Sequence, residues 1–188
     1  VEIGLPRAAF LYVDDVVSPH DEDEREEGED LDSDEEPAPA PRPSIRELLQ
    51  EGQEITVQVV KAPLGTKGAR VTTYITIPGR SVVFMPTMER LGVSRKIVDE
   101  EERRRLKAVM AAHALAGEGG YIARTACVGL SADEIARDMT FVRSLWADVR
   151  SKSAAIPAPG LVQADLDLVL RATRDLFTDE VERLIVDR

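Results

Sequence analysis

Cysteine, histidine and aromatic residues are scarce in this chain of 188 residues, and each shortage excludes a class of protein. The single cysteine, Cys127, cannot form an internal disulfide, and the 2 histidines are too few for a His-rich metal site. No apolar run approaches the roughly 20 residues of a membrane-spanning helix, and we expect no signal peptide. Aromatic residues make up 4% of the chain, so Val, Leu, Ile and Ala must build the core. We therefore expect a cytoplasmic protein without a membrane span.

Acidic residues outnumber basic ones, but the excess lies in one segment. The formal net charge is -11, from 35 acidic and 24 basic residues. Residues 14–36 hold fourteen of the acids and a single base, which leaves 21 acids and 23 bases elsewhere. The acidic average is therefore no argument against a nucleic acid as partner. Residues 18–43 predict a disordered insertion. It is either a solvated insertion without specific function or a segment that repels anions or binds a basic partner.

Alternating apolar residues predict short strands on both sides of the insertion, at residues 1–5, 8–13, 55–61 and 71–77. Ser44 and Glu47 form the capping box of a short helix between them. Short antiparallel strands with one small helix suit a small β-barrel, of which the OB-fold is the commonest. We predict an α+β chain that opens on such a barrel. Because Val1 already lies in a strand-like segment, we expect the chain to be a piece of a longer protein.

Helical spacing becomes frequent after residue 78. The predicted elements are a strand at 81–86, a helix at 99–116, a strand at 121–126, helices at 131–152 and 165–177, and a final strand at 184–187. Asp99 and Ser131 are the predicted N-caps of the first two helices, with Glu102 and Glu134 completing their capping boxes.

Phosphate binding is the chemistry that the residues support best. Lys61, Lys67 and Arg70 surround one Gly-rich loop, and Phe10 lies on a predicted strand close to Arg7. OB-folds bind single strands through cationic loops and aromatic platforms. Pattern alone leaves two alternatives open, which are core packing for Phe10 and a solvated turn for Lys67. Nucleophilic catalysis finds little support, because no base lies near the single cysteine in sequence.

Arg124 and Thr125 end an otherwise apolar strand. An unpaired buried guanidinium is costly, so Arg124 needs an anionic partner. That partner is either a structural group of the protein or a ligand phosphate, held by the arginine fork together with the threonine hydroxyl. The sequence pattern leaves both alternatives open.

Three strings together resemble the catalytic half of the bacterial ribonuclease E/G family: VQVVKAPLGTKGARVTTYITIPGRSVVFMP, GVSRKI and GGYIARTACVG. The opening VEIGLPRAAFLYVDD is similar to the start of the RNA-binding barrel of the same proteins. The resemblance runs through nearly the whole chain apart from the acidic insertion. It implies a bacterial endoribonuclease of RNA processing and decay that cuts single-stranded RNA and prefers 5′-monophosphorylated ends.

The resemblance also implies three structural parts. Residues 1–74 would be a partial OB-fold of the S-one type, with the disordered acidic insertion at 18–43. Residues 75–170 would be an α/β 5′-sensor region. Residues 171–188 would begin an RNase-H-like subdomain.

Six residues match functional positions of the family. In the barrel, Phe10 and Lys67 match residues that contact RNA. In the sensor, Gly79 and Val83 match the glycine and valine that flank a turn. Arg124 and Thr125 match the arginine and threonine that donate hydrogen bonds to the terminal phosphate.

Cleavage itself is implied to depend on residues outside this chain. The resemblance assigns the magnesium-binding carboxylates, a further sensor arginine and a CPxC zinc link between protomers to later segments. We therefore expect no catalytic residue and no metal ligand here, and a chain that is inactive alone. The expected partners are single-stranded RNA with a 5′-monophosphate and, in the full-length enzyme, further copies in a homo-oligomer. The alternatives are a stand-alone RNA-binding regulator and an interaction protein that acts through its acidic arm.

Overall fold

Helices and strands alternate irregularly in the computed structural model, which describes residues 1–16, 44–177, 181–183 and 185. The strands are β1 (Phe10–Leu11), β2 (Gln58–Lys61), β3 (Arg70–Thr72), β4 (Ile77–Pro78), β5 (Val82–Met85), β6 (Leu91–Val93) and β7 (Gly120–Ala123). The helices are α1 (Ile45–Leu48), α2 (Glu100–His113), α3 (Ala132–Ala155) and α4 (Leu168–Leu176). Single 3-10 turns cover Val13–Asp15 and Thr125–Cys127. The predicted mixture of helix and strand is confirmed.

The first sheet has the strand order β1-β3-β2. β1 pairs parallel to β3, with Phe10 opposite Arg70, and β2 pairs antiparallel to β3, with Val59 opposite Val71. A small core of Ala9, Ala69 and Val71 lies on one side of it. Over the described residues this sheet is open, so a closed barrel is not formed by them.

The predicted strand at residues 1–5 is wrong. These residues form no strand, and only Val1 and Ala9 exchange backbone hydrogen bonds, both at 2.8 Å. Gly4 has a left-handed φ of 77° and Pro6 has no N–H to donate, so the extended pairing cannot continue.

The predicted strand at residues 71–77 divides between the two sheets. Thr72 and Thr73 turn their hydroxyls to the carbonyl oxygen of Asp15, at 3.0 and 3.1 Å, and the Thr73 N–H donates to the same oxygen at 2.8 Å. These local bonds compete with a continued ladder. The chain therefore leaves the first sheet after Thr72 and enters the second at Ile77.

The second sheet, with the order β4-β5-β7-β6, carries the main core. β6 and β7 run parallel, and the other neighbours are antiparallel. α2 and α3 pack against one face of this sheet and against each other. The fully buried side chains include Val82, Phe84, Leu106, Met110, Tyr121, Ala123, Ile135, Met139 and Val142.

The helix boundaries largely follow the predicted caps. α3 begins at the capping box of Ser131 and Glu134, as predicted, and continues to Ala155. Asp99 caps α2, but Glu102 does not complete a box because its carboxylate binds Arg105, at 2.6 and 2.7 Å. α2 ends at His113 and α4 covers residues 168–176, both shorter than predicted. The acidic insertion at 18–43 lies outside the described residues, as does most of the predicted final strand. Among the described helices, none has the length and apolarity to cross a membrane.

The Glu102–Arg105 pair predicts a pH-dependent stability. The hydrogen bond from Arg105 lowers the pKa of Glu102 from 4.5 to about 2. A lowered folded-state pKa stabilises the fold above the unfolded pKa, and this stability disappears as the pH falls from about 4.5 to about 2. Glu102→Gln should lower the melting temperature at neutral pH by roughly 2–4 °C, which corresponds to about 1 kcal/mol in a domain of this size. Thermal melts over this pH range, with the exposed Glu101→Gln as control, should show the difference vanish at low pH. A constant difference contradicts the assignment.

Candidate functional site

A carboxylate on α3 organises the turn between β4 and β5. Asp138 Oδ2 accepts hydrogen bonds from the Ser81 N–H at 2.7 Å, the Ser81 hydroxyl at 2.8 Å and the Val82 N–H at 3.0 Å. Its Oδ1 accepts from the Arg80 N–H at 3.3 Å. A side chain at Gly79 would stand 2.7 Å from both oxygens, so the missing Cβ makes room for this carboxylate. The carboxylate of Asp138 therefore holds the turn between β4 and β5 against α3.

Arg124 reaches this turn from the end of β7. Its backbone N–H donates to the Ser81 carbonyl oxygen at 2.8 Å, and this bond continues the ladder between β5 and β7 by one residue. Its Nη1 donates to the carbonyl oxygens of Gly79 at 2.6 Å and Arg80 at 3.1 Å. The structure thus joins Gly79 and Arg124, two of the predicted site residues, across 45 positions of sequence.

The Arg124 guanidinium also has an anionic partner within the chain. Its Nη1 lies 2.9 Å from Oδ1 of Asp175 on α4. Arg174 binds the same carboxylate at two points, through Nε and Nη2, both at 3.0 Å. The hydrogen bonds from Arg174, and then those from Arg124, hold the pKa of Asp175 well below its usual range. In this structure the anionic partner of Arg124 is therefore a group of the protein itself. The arginine side chain is nevertheless 30% exposed.

Val83, on β5, lies on the face of the second sheet that points away from α2 and α3. It is half-buried and pairs with Ile122, whereas its neighbours Val82 and Phe84 enter the core. Because side chains alternate along a strand, Arg124 follows Ile122 on the same face. An added Cβ at Gly92 would lie 3.2 Å from Ile122, so this glycine keeps the face flat. Val83 and Ile122 therefore form a half-buried apolar pair on this face, and Ile122 precedes Arg124 by two residues.

Thr125 is exposed and begins the 3-10 turn that follows β7. The strand ends at Ala123, so Thr125 is not held to the opposite sheet face by strand alternation. Cys127 in the same turn is fully buried, and burial raises the pKa of its thiol to about 11. Cys127 is therefore packed in the main core as a small apolar residue.

Phe10 lies outside the core. Ala9 and Leu11 face inward to the small core of the first sheet, whereas Phe10 and Tyr12 are 53% and 55% exposed. The Arg70 guanidinium stands 5.0 Å from the centre of the Tyr12 ring and is paired with Asp15 at 2.8 Å. Core packing is thus excluded for Phe10, and two aromatic rings face solvent on one edge of the sheet.

The loop that carries Lys67 is folded against the start of β1. Leu64 and Lys67 exchange backbone hydrogen bonds at 3.2 and 3.0 Å, which closes a tight turn. The Arg7 side chain donates to the Thr66 carbonyl oxygen. An added Cβ at Gly68 would lie 3.5 Å from the Phe10 ring, so this loop adjoins the ring. The exposed Lys67 and the exposed rings of Phe10 and Tyr12 form what we call the aromatic-basic surface.

Four residues of these two sites were missed in the sequence, namely Tyr12, Asp138, Arg174 and Asp175. Tyr12 could have been found, because it follows Phe10 by two residues on a strand and shares its face. Asp138 and Asp175 give no such signal, since each is one carboxylate on a helix rich in charge. Nothing in the described ranges places three or more His, Cys, Asp or Glu side chains together to hold a metal.

Known proteins match this chain over its whole length. A family model described as the Ribonuclease E/G family matches residues 76–188. The chain is similar to Ribonuclease G of Haemophilus influenzae, with 42% identity over all of this chain and 36% of that protein. It is 40% identical to Ribonuclease G of Escherichia coli, again covering 36% of that protein. Ribonuclease E of a Nostoc species is 38% identical over 77% of this chain and 21% of its own length. The chain thus spans about a third of the ribonuclease G sequences that it matches.

Proposed function

Because the chain belongs to the ribonuclease E/G family, we propose that it is the RNA-binding and 5′-monophosphate-sensing part of a bacterial single-strand-specific endoribonuclease. The observation that carries the proposal is Arg124, a partly exposed guanidinium held against the Gly79 turn. A terminal phosphate offers oxygens to a guanidinium and a hydroxyl at once, whereas a 5′-hydroxyl end offers no charge. Thr125 would supply the hydroxyl, and Val83 would contact the first base.

In this proposal the first sheet is part of an S-one-type OB-fold that holds the body of the RNA strand. The aromatic-basic surface supports the assignment, because exposed rings next to a cationic loop are the usual means of binding single strands. Residues 75–170 would then be the 5′ sensor, and the start of the RNase-H-like subdomain would follow.

Cleavage is proposed to require more than this chain supplies. Phosphodiester hydrolysis in this family would use magnesium to polarise the phosphate and activate water, and the family's metal-binding carboxylates match no residue here. We propose that other segments of the enzyme hold the magnesium and the zinc link of a homo-oligomer. We also propose that the chain alone is inactive and that the enzyme acts in the cytoplasm.

Binding of matched RNAs by the 188-residue chain tests the proposal. Fluorescence anisotropy would compare one single-stranded RNA, labelled at its 3′ end, with a 5′-monophosphate, with a 5′-hydroxyl and as a duplex. The proposal expects the tightest binding for the monophosphorylated single strand and the weakest for the duplex. Equal affinity for the two 5′ ends, measured at several salt concentrations, argues against a sensor in this chain.

Phe10→Ala should weaken binding of single-stranded RNA irrespective of its 5′ end. Loss of one base stacked on an aromatic ring costs roughly 1–3 kcal/mol, or about fivefold to a hundredfold in affinity. The matched control is Phe141→Ala, which removes a ring of similar exposure, 57%, from α3. An equal loss in both variants, or none in Phe10→Ala, contradicts the stacking role.

Lys67→Ala should reduce the salt dependence of the same binding. Each phosphate neutralised on a single strand contributes roughly -0.7 to the slope of log K against log salt, so the slope should become shallower by about that amount. Lys107→Ala, at an exposed position of α2, should leave the slope unchanged. If the Lys67→Ala slope equals that of the wild type, Lys67 is a solvated turn residue.

A further inference from the structure

Two guanidinium groups, those of Arg124 and Arg174, bind one carboxylate of α4 next to the Gly79 turn. Asp175 Oδ1 receives Arg124 Nη1 at 2.9 Å and Arg174 Nε at 3.0 Å, and its Oδ2 receives Arg174 Nη2 at 3.0 Å. Arg174 is itself anchored to the second sheet, since its Nη1 donates to the Pro78 carbonyl at 3.4 Å. Both arginines are therefore positioned by the backbone around the turn, and the carboxylate bridges them.

Part of the Arg124 guanidinium is left with hydrogen-bond donors that the described residues do not use. Arg124 uses only Nη1 for its bonds to Gly79, Arg80 and Asp175, and its Nε and Nη2 donate to no other residue of the described ranges. About a third of the Arg124 and Asp175 side chains, 30% and 34%, is exposed. An anion from solvent can therefore approach the guanidinium that the carboxylate covers only in part.

The location of Asp175 on its helix disfavours a negative charge. α4 ends at Leu176, so Asp175 lies in the last turn, where the helix dipole repels a carboxylate and attracts a cation. The positive charge of Arg174 therefore interacts favourably with the helix dipole, and the negative charge of Asp175 interacts unfavourably with it. Asp175 is thus held in place by the two arginines and not by the helix.

We propose that Asp175 is an internal anion in a two-arginine phosphate site formed by Arg124 and Arg174, and that the 5′-monophosphate of a bound RNA displaces it. The inference rests on the proposed function and adds to it a second phosphate-binding arginine and a built-in competitor. A monophosphate carries a charge of about -1.5 to -2 and three acceptor oxygens, so it binds two guanidinium groups better than one carboxylate does. A 5′-hydroxyl end has no charge with which to displace Asp175. The competitor therefore keeps the site closed to ends that lack the phosphate.

The test measures the ratio of affinities for 5′-monophosphate and 5′-hydroxyl RNA of the same sequence, using the whole 188-residue chain. Asp175→Asn keeps the size of the side chain and removes its charge, so the ratio should rise by roughly three- to tenfold. Arg174→Gln should lower the ratio by a similar factor. Arg171→Gln is the matched control, because it removes a cation from the same helix whose one ion-pair partner among the described residues is the exposed Asp165, at 3.8 Å. Its ratio should equal that of the wild type.

Asp175→Glu separates charge from shape, since it keeps the carboxylate and should leave the ratio close to the wild-type value. An unchanged or lower ratio in Asp175→Asn overturns the proposal, because Asp175 would then only support the site. The same holds if Arg174→Gln behaves like Arg171→Gln. Arg124→Gln distinguishes failure of the Asp175 proposal from failure of the proposed function. If it abolishes the preference while the α4 variants do not change it, the proposed sensor is supported and the role of Asp175 as internal competitor is refuted. If Arg124→Gln keeps the full preference, the proposed function itself fails.

Discussion

Replacing Arg124 by glutamine in the full-length enzyme is expected to reduce the proposed preference for 5′-monophosphate over 5′-hydroxyl RNA by about one to two powers of ten. A charge-assisted hydrogen bond contributes roughly 1.5–3 kcal/mol, and the proposed terminal phosphate forms such bonds with this guanidinium. Cleavage rates on the two RNAs at low substrate concentration give the ratio directly. Thr125→Val should reduce the ratio less, because it removes a neutral donor. If Arg124→Gln keeps the whole preference, Arg124 is a structural residue.

The control for this experiment must be an arginine that, like Arg124, donates to backbone carbonyl oxygens. Arg103 does so, because its Nη1 donates to two backbone carbonyls, those of Ser94 at 3.1 Å and Ile97 at 3.0 Å. Its side chain is 25% exposed, close to the value for Arg124. Arg103→Gln should therefore destabilise the fold to a similar extent and leave the ratio of the two RNAs unchanged. This comparison separates the loss of a phosphate contact from the loss of a packed arginine.

Asp138→Ala is expected to lower the free energy of unfolding by about 3 kcal/mol or more. The substitution leaves four donors of the turn at residues 80–82 without their acceptor, and each unsatisfied group costs roughly 1–3 kcal/mol. In a domain of this size the melting temperature should fall by roughly 6–12 °C. Asp148→Ala removes an exposed carboxylate from the same helix and should change it little. A small effect of Asp138→Ala contradicts the role assigned to the carboxylate.

The same variant should also lower the proposed preference for a 5′-monophosphate, because the Gly79 carbonyl that receives Arg124 belongs to the turn that Asp138 fixes. Asp138→Asn retains one acceptor oxygen and the size of the side chain, so it should recover part of both losses. A variant that loses stability but keeps the full monophosphate preference would show that the turn does not position Arg124.

Local signals in the sequence predicted the helices better than the strands. The capping box of Ser131 and Glu134 and the apolar stripe of α3 are local features, and both are confirmed. The strand at 71–77 was wrong as one element, because hydroxyls of Thr72 and Thr73 bond to Asp15, which is remote in sequence. Glu102 was wrong as a box partner because Arg105 binds its carboxylate more strongly than a backbone N–H can.

The family resemblance supplied Arg124 and Gly79, and the structure joins them, but it did not supply the groups that hold them. Asp138 and Asp175 hold them through contacts between residues far apart in the chain, which no periodicity encodes: Asp175 meets Arg124 across 51 positions, and Asp138 meets Val82 across 56. The roles of Phe10, Lys67, Val83 and Thr125 toward RNA stay predictions. Their exposure or half-buried placement is what the structure adds.

The close approach of Asp138 to Gly79 couples the evolutionary freedom of two positions. A methyl group at residue 79 would stand 2.7 Å from both carboxylate oxygens and 2.8 Å from Val142 Cγ1, so residue 79 can grow only if residue 138 shrinks and Val142 moves aside. A smaller residue 138 in turn leaves the N–H groups of Arg80, Ser81 and Val82 without their acceptor. Neither position can drift first without a loss, and their substitutions are therefore strongly epistatic. The packing around residue 79 is therefore enough by itself to require a glycine there.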